Sequence, residues 1–180
     1  MTKIVIFTLC LFFTSILNSF SQTKWIVGER HTISLEIPKQ WVQTHHDQLP
    51  FLIKPDEKNV AEETYSYVYG LDFSINPDIN GWINGNTQTV VNNYKDVKVD
   101  SLHLQFENLK ENEHLTGRYK TITYEYPNKR KEVLLIAESK HTIIVCVFSA
   151  ENDVVYKKHF SSFIELAKSL TVAGTSLKIK

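Results

Sequence analysis

The three consecutive residues His45, His46 and Asp47 form the densest group of potential metal ligands in the sequence. Imidazole and carboxylate groups both bind zinc, but a structural zinc site needs four ligands and a catalytic site needs three. Adjacent side chains of an extended loop point in opposite directions, so at most two of the three face one ion. The other five histidines are scattered and form no H-x-x-x-H pair. The pattern favours a solvated polar loop, with a metal site as the alternative.

Two carboxylate pairs, Glu62 with Glu63 and Asp72 with Asp78, are the candidates for acid–base chemistry. Such chemistry needs one protonated and one ionised carboxyl group at a defined separation. Asp72 lies in an aromatic-rich segment, but no second carboxylate is placed beside it by the sequence, and exposed carboxylates are the ordinary expectation. A hydrolase with an unrecognised carboxylate site is therefore the weakest hypothesis.

Nucleophile and phosphate-binding motifs are missing from the sequence, which has neither a G-x-S-x-G elbow nor a G-x-x-x-x-G-K-[ST] loop. Cys146 lies within the apolar run from Thr142 to Phe148, where a buried and inert thiol is expected, because reactive thiols need an accessible and electropositive setting. We predict no catalytic residue and no cofactor.

The segment from Gly81 to Gly85 has the sequence G-W-I-N-G and follows an Asn- and Pro-rich stretch, which predicts a loop over 76–86. Aromatic residues displayed on loops are typical recognition anchors. Trp82 and Ile83 are accordingly the speculative partner-binding residues. The alternative is that Trp82 closes the edge of the core.

The alternation and spacing of apolar residues predict an α+β domain with an antiparallel sheet of about six to seven strands flanked by helices. Two segments, VLLIA and IIVCVF, are apolar on both faces and so need cover on both sides. Gly70 suggests a bulge in its strand. The predicted strands span 25–37, 64–75 (Tyr65, Tyr67 and Tyr69 sharing a face), 114–126, 132–138 and 141–149; helices begin at Asn86 or Thr87 and at about Asp153.

Residues 1–21 have the anatomy of a secretory signal peptide: Lys3, an uncharged stretch, and small residues at Ser19 and Ser21. A retained anchor is less favoured, because the apolar run is short and partly polar. The expected organisation is signal peptide 1–21, one domain over 22–172 and a flexible tail over 173–180. Without the signal the chain has a formal charge of −1, which gives it no electrostatic reason to bind nucleic acid.

The opening H-T-I-S-L-E-I-P-K-Q-W, from His31 to Trp41, resembles the f-x-i-x-i-P-x-x-W start of the PsbP-like superfamily. Gly117-Arg118-Tyr119 is similar to that group's G-x-x-a/y strand. The segment from Tyr156 to Leu170 resembles its closing y-x-x-x-f-x-x-i-x-x-S helix. This superfamily includes the PsbP subunits, the Mog-type Ran-binding proteins and the DcrB-like proteins.

The resemblance implies an α/β/α sandwich of the PsbP-like type and a non-catalytic role, but its motifs concern the fold and name no partner. We therefore expect an exported accessory or binding domain, periplasmic or secreted, with an unknown envelope protein or ligand as partner. After signal cleavage it would have no membrane span and be a monomer. The alternative is a periplasmic protein that binds a metal or small ligand.

Overall fold

Two antiparallel sheets and two helices make up the computed structural model, which describes residues 22–175. The predicted signal peptide and residues 176–180 lie outside the described residues. In chain order the elements are β1 (Thr23–Val27), β2 (Thr32–Glu36), β3 (Trp41–Thr44), β4 (Leu52–Pro55), β5 (Tyr65–Asp72), α1 (Ile79–Asn93), β6 (Lys98–Leu102), a 3-10 helix (Glu107–Leu109), β7 (Leu115–Glu125), β8 (Lys131–Ser139), β9 (Thr142–Ala150), α2 (Asp153–Ser169) and β10 (Thr171–Ala173).

The larger sheet has seven strands in the order β3-β4-β5-β9-β8-β7-β6, as expected for the predicted sandwich. Its central strands β8 and β9 are buried along most of their length, which confirms the prediction from their doubly apolar sequences. Val133 and Leu135 pack in the core beneath α2, whereas Leu134 and Ile136 pack in a second core beneath α1. The class is therefore α+β, with one helix on each face.

The predicted single strand over 25–37 is wrong, because the chain turns at Gly28 and forms the hairpin β1–β2. The Gly28 N–H donates to the His31 carbonyl oxygen at 2.9 Å and closes this turn. Strand β10 pairs with the other side of β2 and completes a small three-stranded sheet. Beyond residue 172, the Gly174 and Thr175 N–H groups donate to His114 Nδ1 and to the Arg30 carbonyl oxygen.

Strand β5 contains no bulge at Gly70, so that prediction is wrong: its register with β9 is continuous from Tyr65 to Asp72. A glycine is needed at position 70 for a different reason. A Cβ at this position would lie 2.4 Å from His31 Nε2, so only glycine leaves room for the imidazole. The same ring excludes a Cβ at Gly28, which would lie 2.1 Å from His31 Cε1.

Helix α1 occupies most of the predicted loop over 76–86. Asp78 is its N-cap and accepts from the Asn80 N–H at 3.0 Å. Ile79 and Ile83, one turn apart, are buried against the sheet, and this burial outweighs the poor helix propensity of Gly81 and Gly85.

Helix α2 begins close to its predicted start, because Asn152 accepts from the N–H groups of Val154 and Val155. Its buried stripe includes His159, Phe163 and Ala167. Among residues 22–175 no helix has both the length and the apolar character needed to cross a membrane.

Candidate binding site on the tyrosine face

Trp82 and Ile83 lie on α1, so the prediction that a loop displays these two side chains is wrong. Ile83 is 8% exposed and belongs to the core beneath α1, where Trp82 is partly buried. Their side chains fix the helix to the sheet. Partner binding through these two residues stays a prediction that no contact in the structure favours.

His45, His46 and Asp47 form a solvent-exposed loop. His45 Nε2 lies 3.0 Å from Asp47 Oδ1, with both side chains at least 90% exposed, whereas His46 Nδ1 accepts from the Gln48 N–H at 3.2 Å. Within residues 22–175 no three His, Cys, Asp or Glu side chains are grouped so that they could hold a metal ion.

The four candidate acid–base carboxylates have different contacts and do not form a catalytic pair. Asp78 caps α1, and Glu62 and Glu63 are exposed. Asp72 Oδ1 instead lies 2.7 Å from His31 Nδ1 and accepts from Thr142 Oγ1 at 2.6 Å. Burial would raise the pKa of Asp72, but hydrogen bonds from Thr142, His31 and the Arg30 N–H lower it overall.

This His31–Asp72–Thr142 cluster joins the small sheet to the larger one. His31 is 4% exposed and lies between Gly28 and Gly70, so the glycines hold its ring within the structure. The arrangement orients a histidine in the way that a catalytic dyad does, but within residues 22–175 no Ser or Cys side chain is hydrogen-bonded to it. We assign it a structural role.

Among the described residues Glu138 is the only buried carboxylate, and it is engaged by the fold. Arg118 forms a two-pronged ion pair with it, and the Ile79 N–H at the start of α1 donates to Glu138 Oε2 at 3.2 Å. The positive end of the helix dipole also stabilises a carboxylate at this position. Glu138 therefore anchors α1 on the sheet.

Cys146 is fully buried, as predicted, and burial raises the pKa of its thiol. It lies at the centre of β9 in the core beneath α2, so it behaves as a small apolar side chain.

Six of the eight tyrosines are found on or beside the sheet surface that α1 covers only in part. On β5, the rings of Tyr65 and Tyr67 lie 5.9 Å apart and those of Tyr67 and Tyr69 stack at 5.8 Å. All three are half-buried. We call the surface formed by Tyr65, Tyr67, Tyr69, Tyr94, Tyr126, Arg130 and Glu132 the tyrosine face.

Arg130 and Glu132 are the charged centre of the tyrosine face. The guanidinium of Arg130 lies 3.9 Å above the Tyr126 ring and 5.7 Å from the Tyr94 ring. Its Nη1 lies 3.3 Å from Glu132 Oε1, while Tyr126 Oη donates to Glu132 Oε2 at 2.6 Å. Both charged side chains are less than 20% exposed, so solvent screens the pair poorly.

The sheet register explains how residues from distant parts of the sequence meet here. Tyr65 pairs with Ser149 of β9, Ser149 pairs with Glu132 of β8, and Glu132 pairs with Tyr124 of β7. These positions lie side by side on one face because paired strands keep directly opposite residues on the same side.

One polar atom in this region, Arg130 Nε, is buried without a hydrogen-bond partner among the described residues. Ser149 Oγ, by contrast, lies within hydrogen-bonding reach of the Tyr65 hydroxyl group. Buried polar atoms are nearly always paired, and leaving one unpaired costs about 1–3 kcal/mol. Arg130, in the turn before β8, therefore marks the tyrosine face as a surface that is polar as well as aromatic.

A groove of about 430 Å³ continues the tyrosine face toward the edge of the sheet. Leu52, Tyr65 and Tyr67 line it together with Leu49 and His46 from the loop before β4. Burial raises the pKa of Tyr65, and the nearby Glu132 adds to this effect. Burial likewise raises the pKa of Tyr69 to about 12, so both phenols remain protonated donors at neutral pH.

The sequence predicts that Tyr65, Tyr67 and Tyr69 share one face but does not connect them with Arg130 and Glu132. The basic composition of the segment Asn128-Lys129-Arg130-Lys131 is typical of a solvated turn, yet the side chain of Arg130 is only 17% exposed. The local signal that could have found it is the Tyr-x-Tyr repeat at 124–126, four residues before Arg130.

The described structure is similar to the solution structure of cyanobacterial PsbP (CyanoP) from Synechocystis sp. PCC 6803, with a TM-score of 0.55. The two sequences are 11% identical, and the match covers 84% of this chain and 92% of that one. No protein-family model and no curated protein matches the sequence. The likeness concerns the fold alone, and it confirms the prediction that this chain has a PsbP-like α+β fold.

Proposed function

We propose that this protein is an exported, non-catalytic accessory domain that binds a partner protein through the tyrosine face. The observation that carries the proposal is the row of half-buried tyrosines beside Arg130, whose Nε is buried without a hydrogen-bond partner among the described residues. Tyrosine and arginine are the residues enriched in protein interfaces, where a rigid ring supplies contact area and the guanidinium supplies directed hydrogen bonds.

The chemistry of the tyrosine face supports a protein partner better than a nucleic acid. The positive charge of Arg130 is already balanced by Glu132, so the surface offers no row of positive charge to a phosphate backbone. Catalysis has little support, because the half-buried Asp72 and the buried Glu138 are engaged by the fold. The exported location rests on the signal-peptide pattern of residues 1–21.

Site-specific photocrosslinking tests this function. We expect benzoylphenylalanine at Tyr65 to form an adduct of one defined mass when the protein is incubated with the envelope fraction of its source. The matched control places the same probe at Val154, which is 76% exposed on α2, at the opposite face of the sheet. An adduct at position 65 but not at 154 supports the proposal.

Equal adducts at both positions, or none at either, would overturn binding through the tyrosine face. If no protein is captured, a rise in melting temperature with a small molecule from the same fraction would instead favour the alternative of a ligand-binding protein. Zinc measured after dialysis at well below one ion per chain would remove the remaining metal hypothesis for His45, His46 and Asp47.

A further inference from the structure

Strand β3 is an edge of the larger sheet, and within the described residues it pairs only with β4. Its open side faces a groove of about 700 Å³ that lies between β3 and the small sheet. This groove shares His46 and Leu49 with the groove beside the tyrosine face, but none of the residues that define the tyrosine face lines it. It lies along the strand edge, and Gln22 and Lys24 line its far side. An exposed strand edge is a template on which another extended chain can pair.

The hydrogen-bond register shows which backbone groups of β3 face the groove. The Asp56 N–H donates to the Gln40 carbonyl oxygen at 2.7 Å, so this pair, and by alternation Val42 with Lys54, bonds toward β4. The backbone N–H and carbonyl oxygen of Gln43 then point away from β4.

Two further observations agree with this register. Pro55, opposite Trp41, has no N–H and so suits a pair that makes no ladder bonds. The Val68 N–H donates to the Phe51 carbonyl oxygen, which by the same alternation turns the backbone groups of Ile53 toward β5 and away from Gln43. Gln43 therefore offers both a donor and an acceptor to the groove.

The charge of the groove selects the kind of chain that would pair there. Lys24, Lys39, His45 and His46 are among the lining residues, and no aspartate or glutamate is. Asp47, which lies beside His45, is outside the lining. A second copy of this protein pairing through β3 would bring the same two lysines together, whereas a chain that carries carboxylates would meet complementary charge.

We propose that β3 is a docking edge for an extended acidic peptide, which adds to the larger sheet as an eighth strand. The main-chain bonds would come from Gln43, and the lysines of the groove would pair with carboxylates on alternate positions of the peptide. With four residues at about 3.3 Å each, β3 spans about 13 Å, which matches a short linear segment. This surface is independent of the tyrosine face.

The test uses a fluorescein-labelled octapeptide of alternating valine and glutamate, titrated against the purified full chain by fluorescence anisotropy. We expect saturable binding, and about tenfold weaker binding for the double variant Lys24→Glu/Lys39→Glu and for a valine–lysine octapeptide. Gln43→Pro removes the outward N–H and is expected to abolish binding.

Val99→Pro is the matched control on the opposite edge of the sheet. The Ser101 N–H donates to Asp100 Oδ1 at 2.7 Å and so points away from β7, as the Val99 N–H does by alternation. This variant is expected to bind the acidic octapeptide as the original chain does. Far-ultraviolet circular dichroism checks that both proline variants fold.

Hydrogen exchange of the unmodified chain gives a result that does not depend on any variant. The acidic octapeptide should protect the Gln43 amide, and the amide of Val99 should be unchanged. No binding at 1 mM peptide, binding that Gln43→Pro leaves intact, or protection of Gln43 by self-association instead of peptide would each overturn the proposal. Photocrosslinking at Tyr65 is expected to be unaffected by Gln43→Pro, so the two proposals fail separately.

Discussion

His31 and Gly70 show how a single side chain can dictate the residue types around it. The imidazole fills the space that a Cβ at Gly70 would need, and it reaches Asp72 two residues further along the same strand. The sequence marks Asp72 as unusual but does not predict that His31 is its partner. The two residues are 41 positions apart and meet only through the packing of the two sheets.

Gly70→Ala is expected to lower the free energy of unfolding by about 1–3 kcal/mol, because the added methyl group forces His31 out of position. Gly85→Ala is the matched control: nothing lies within 4 Å of its added Cβ in α1, so we expect a gain of about 0.5–1 kcal/mol. Urea denaturation measures both.

The double variant Gly70→Ala/His31→Ala separates crowding from a general loss of β-strand stability. If crowding is the cause, the second substitution makes the first less harmful, and the two costs do not add. Strictly additive costs would contradict the proposed contact.

Helices α1 and α2 differ in how much of their structure the sequence predicts. Helix α2 carries a regular apolar stripe from Tyr156 to Leu170 and a visible cap at Asn152, so its position was predicted closely. The first two turns of α1 contain Gly81 and Gly85 among asparagines, which is the composition of a loop. Its helical state is supported by contacts outside the segment, among them the bond from the Ile79 N–H to Glu138, 59 residues away.

The end of α2 depends on a side chain from the 3-10 helix. Asn108 Nδ2 donates to the carbonyl oxygens of Ala167 and Leu170 at 2.9 and 2.8 Å. Carbonyl groups in the last turn of a helix have no partner within the helix, so these two bonds satisfy acceptors that would otherwise be unpaired.

Asn108→Ala is expected to lower the free energy of unfolding by about 1–2 kcal/mol through the loss of these bonds. Asn108→Asp is expected to cost more, because it sets a carboxylate against carbonyl oxygens at the negative end of the helix dipole. Thermal unfolding by circular dichroism gives the order of the two variants.

Asn128→Asp is the control for Asn108→Asp, because Asn128 uses only its amide oxygen, which accepts from the Arg130 N–H, and aspartate can replace it. We expect little change there. An equal loss of stability at 108 and 128 would show that the donor role of Asn108 is not the cause.

At the scale of the whole molecule, His159 and Asp72 are the less exposed of the groups that make stability fall as the solution becomes acidic. Burial lowers the pKa of His159 despite the nearby carboxylate of Glu57. The unfolded chain then binds a proton more readily than the folded chain, so stability is lost as pH falls below about 6.5, the unfolded value for histidine. Asp72, whose folded pKa is lowered, adds a loss as pH falls below about 3.9.

His159→Phe keeps a ring against Trp41 and is expected to flatten the dependence of stability on pH between 7.5 and 5.5. Asp72→Asn is expected to flatten it only below about pH 4.5. Urea denaturation at a series of pH values measures both slopes. A profile that stays equally steep between pH 7.5 and 5.5 in His159→Phe would contradict the assignment to His159.

The general class of this fold could be predicted from the sequence because β8 and β9 are short, continuous apolar segments, and such segments are typical of buried strands. The tyrosine face could not be predicted in the same way. Tyr65, Ser149 and Glu132 become neighbours only through the strand order β5-β9-β8, in which β9 lies between β5 and β8.

The pairing of β10 with β2 joins the two ends of the described chain. Ser34 Oγ and Thr171 Oγ1 lie 2.5 Å apart across 137 residues of sequence. A contact that closes so long a loop forms after the local ones have reduced the entropy of the chain between. The small sheet is therefore complete only when residues 171–173 are in place, and until then β2 keeps one open edge on which another extended chain could pair.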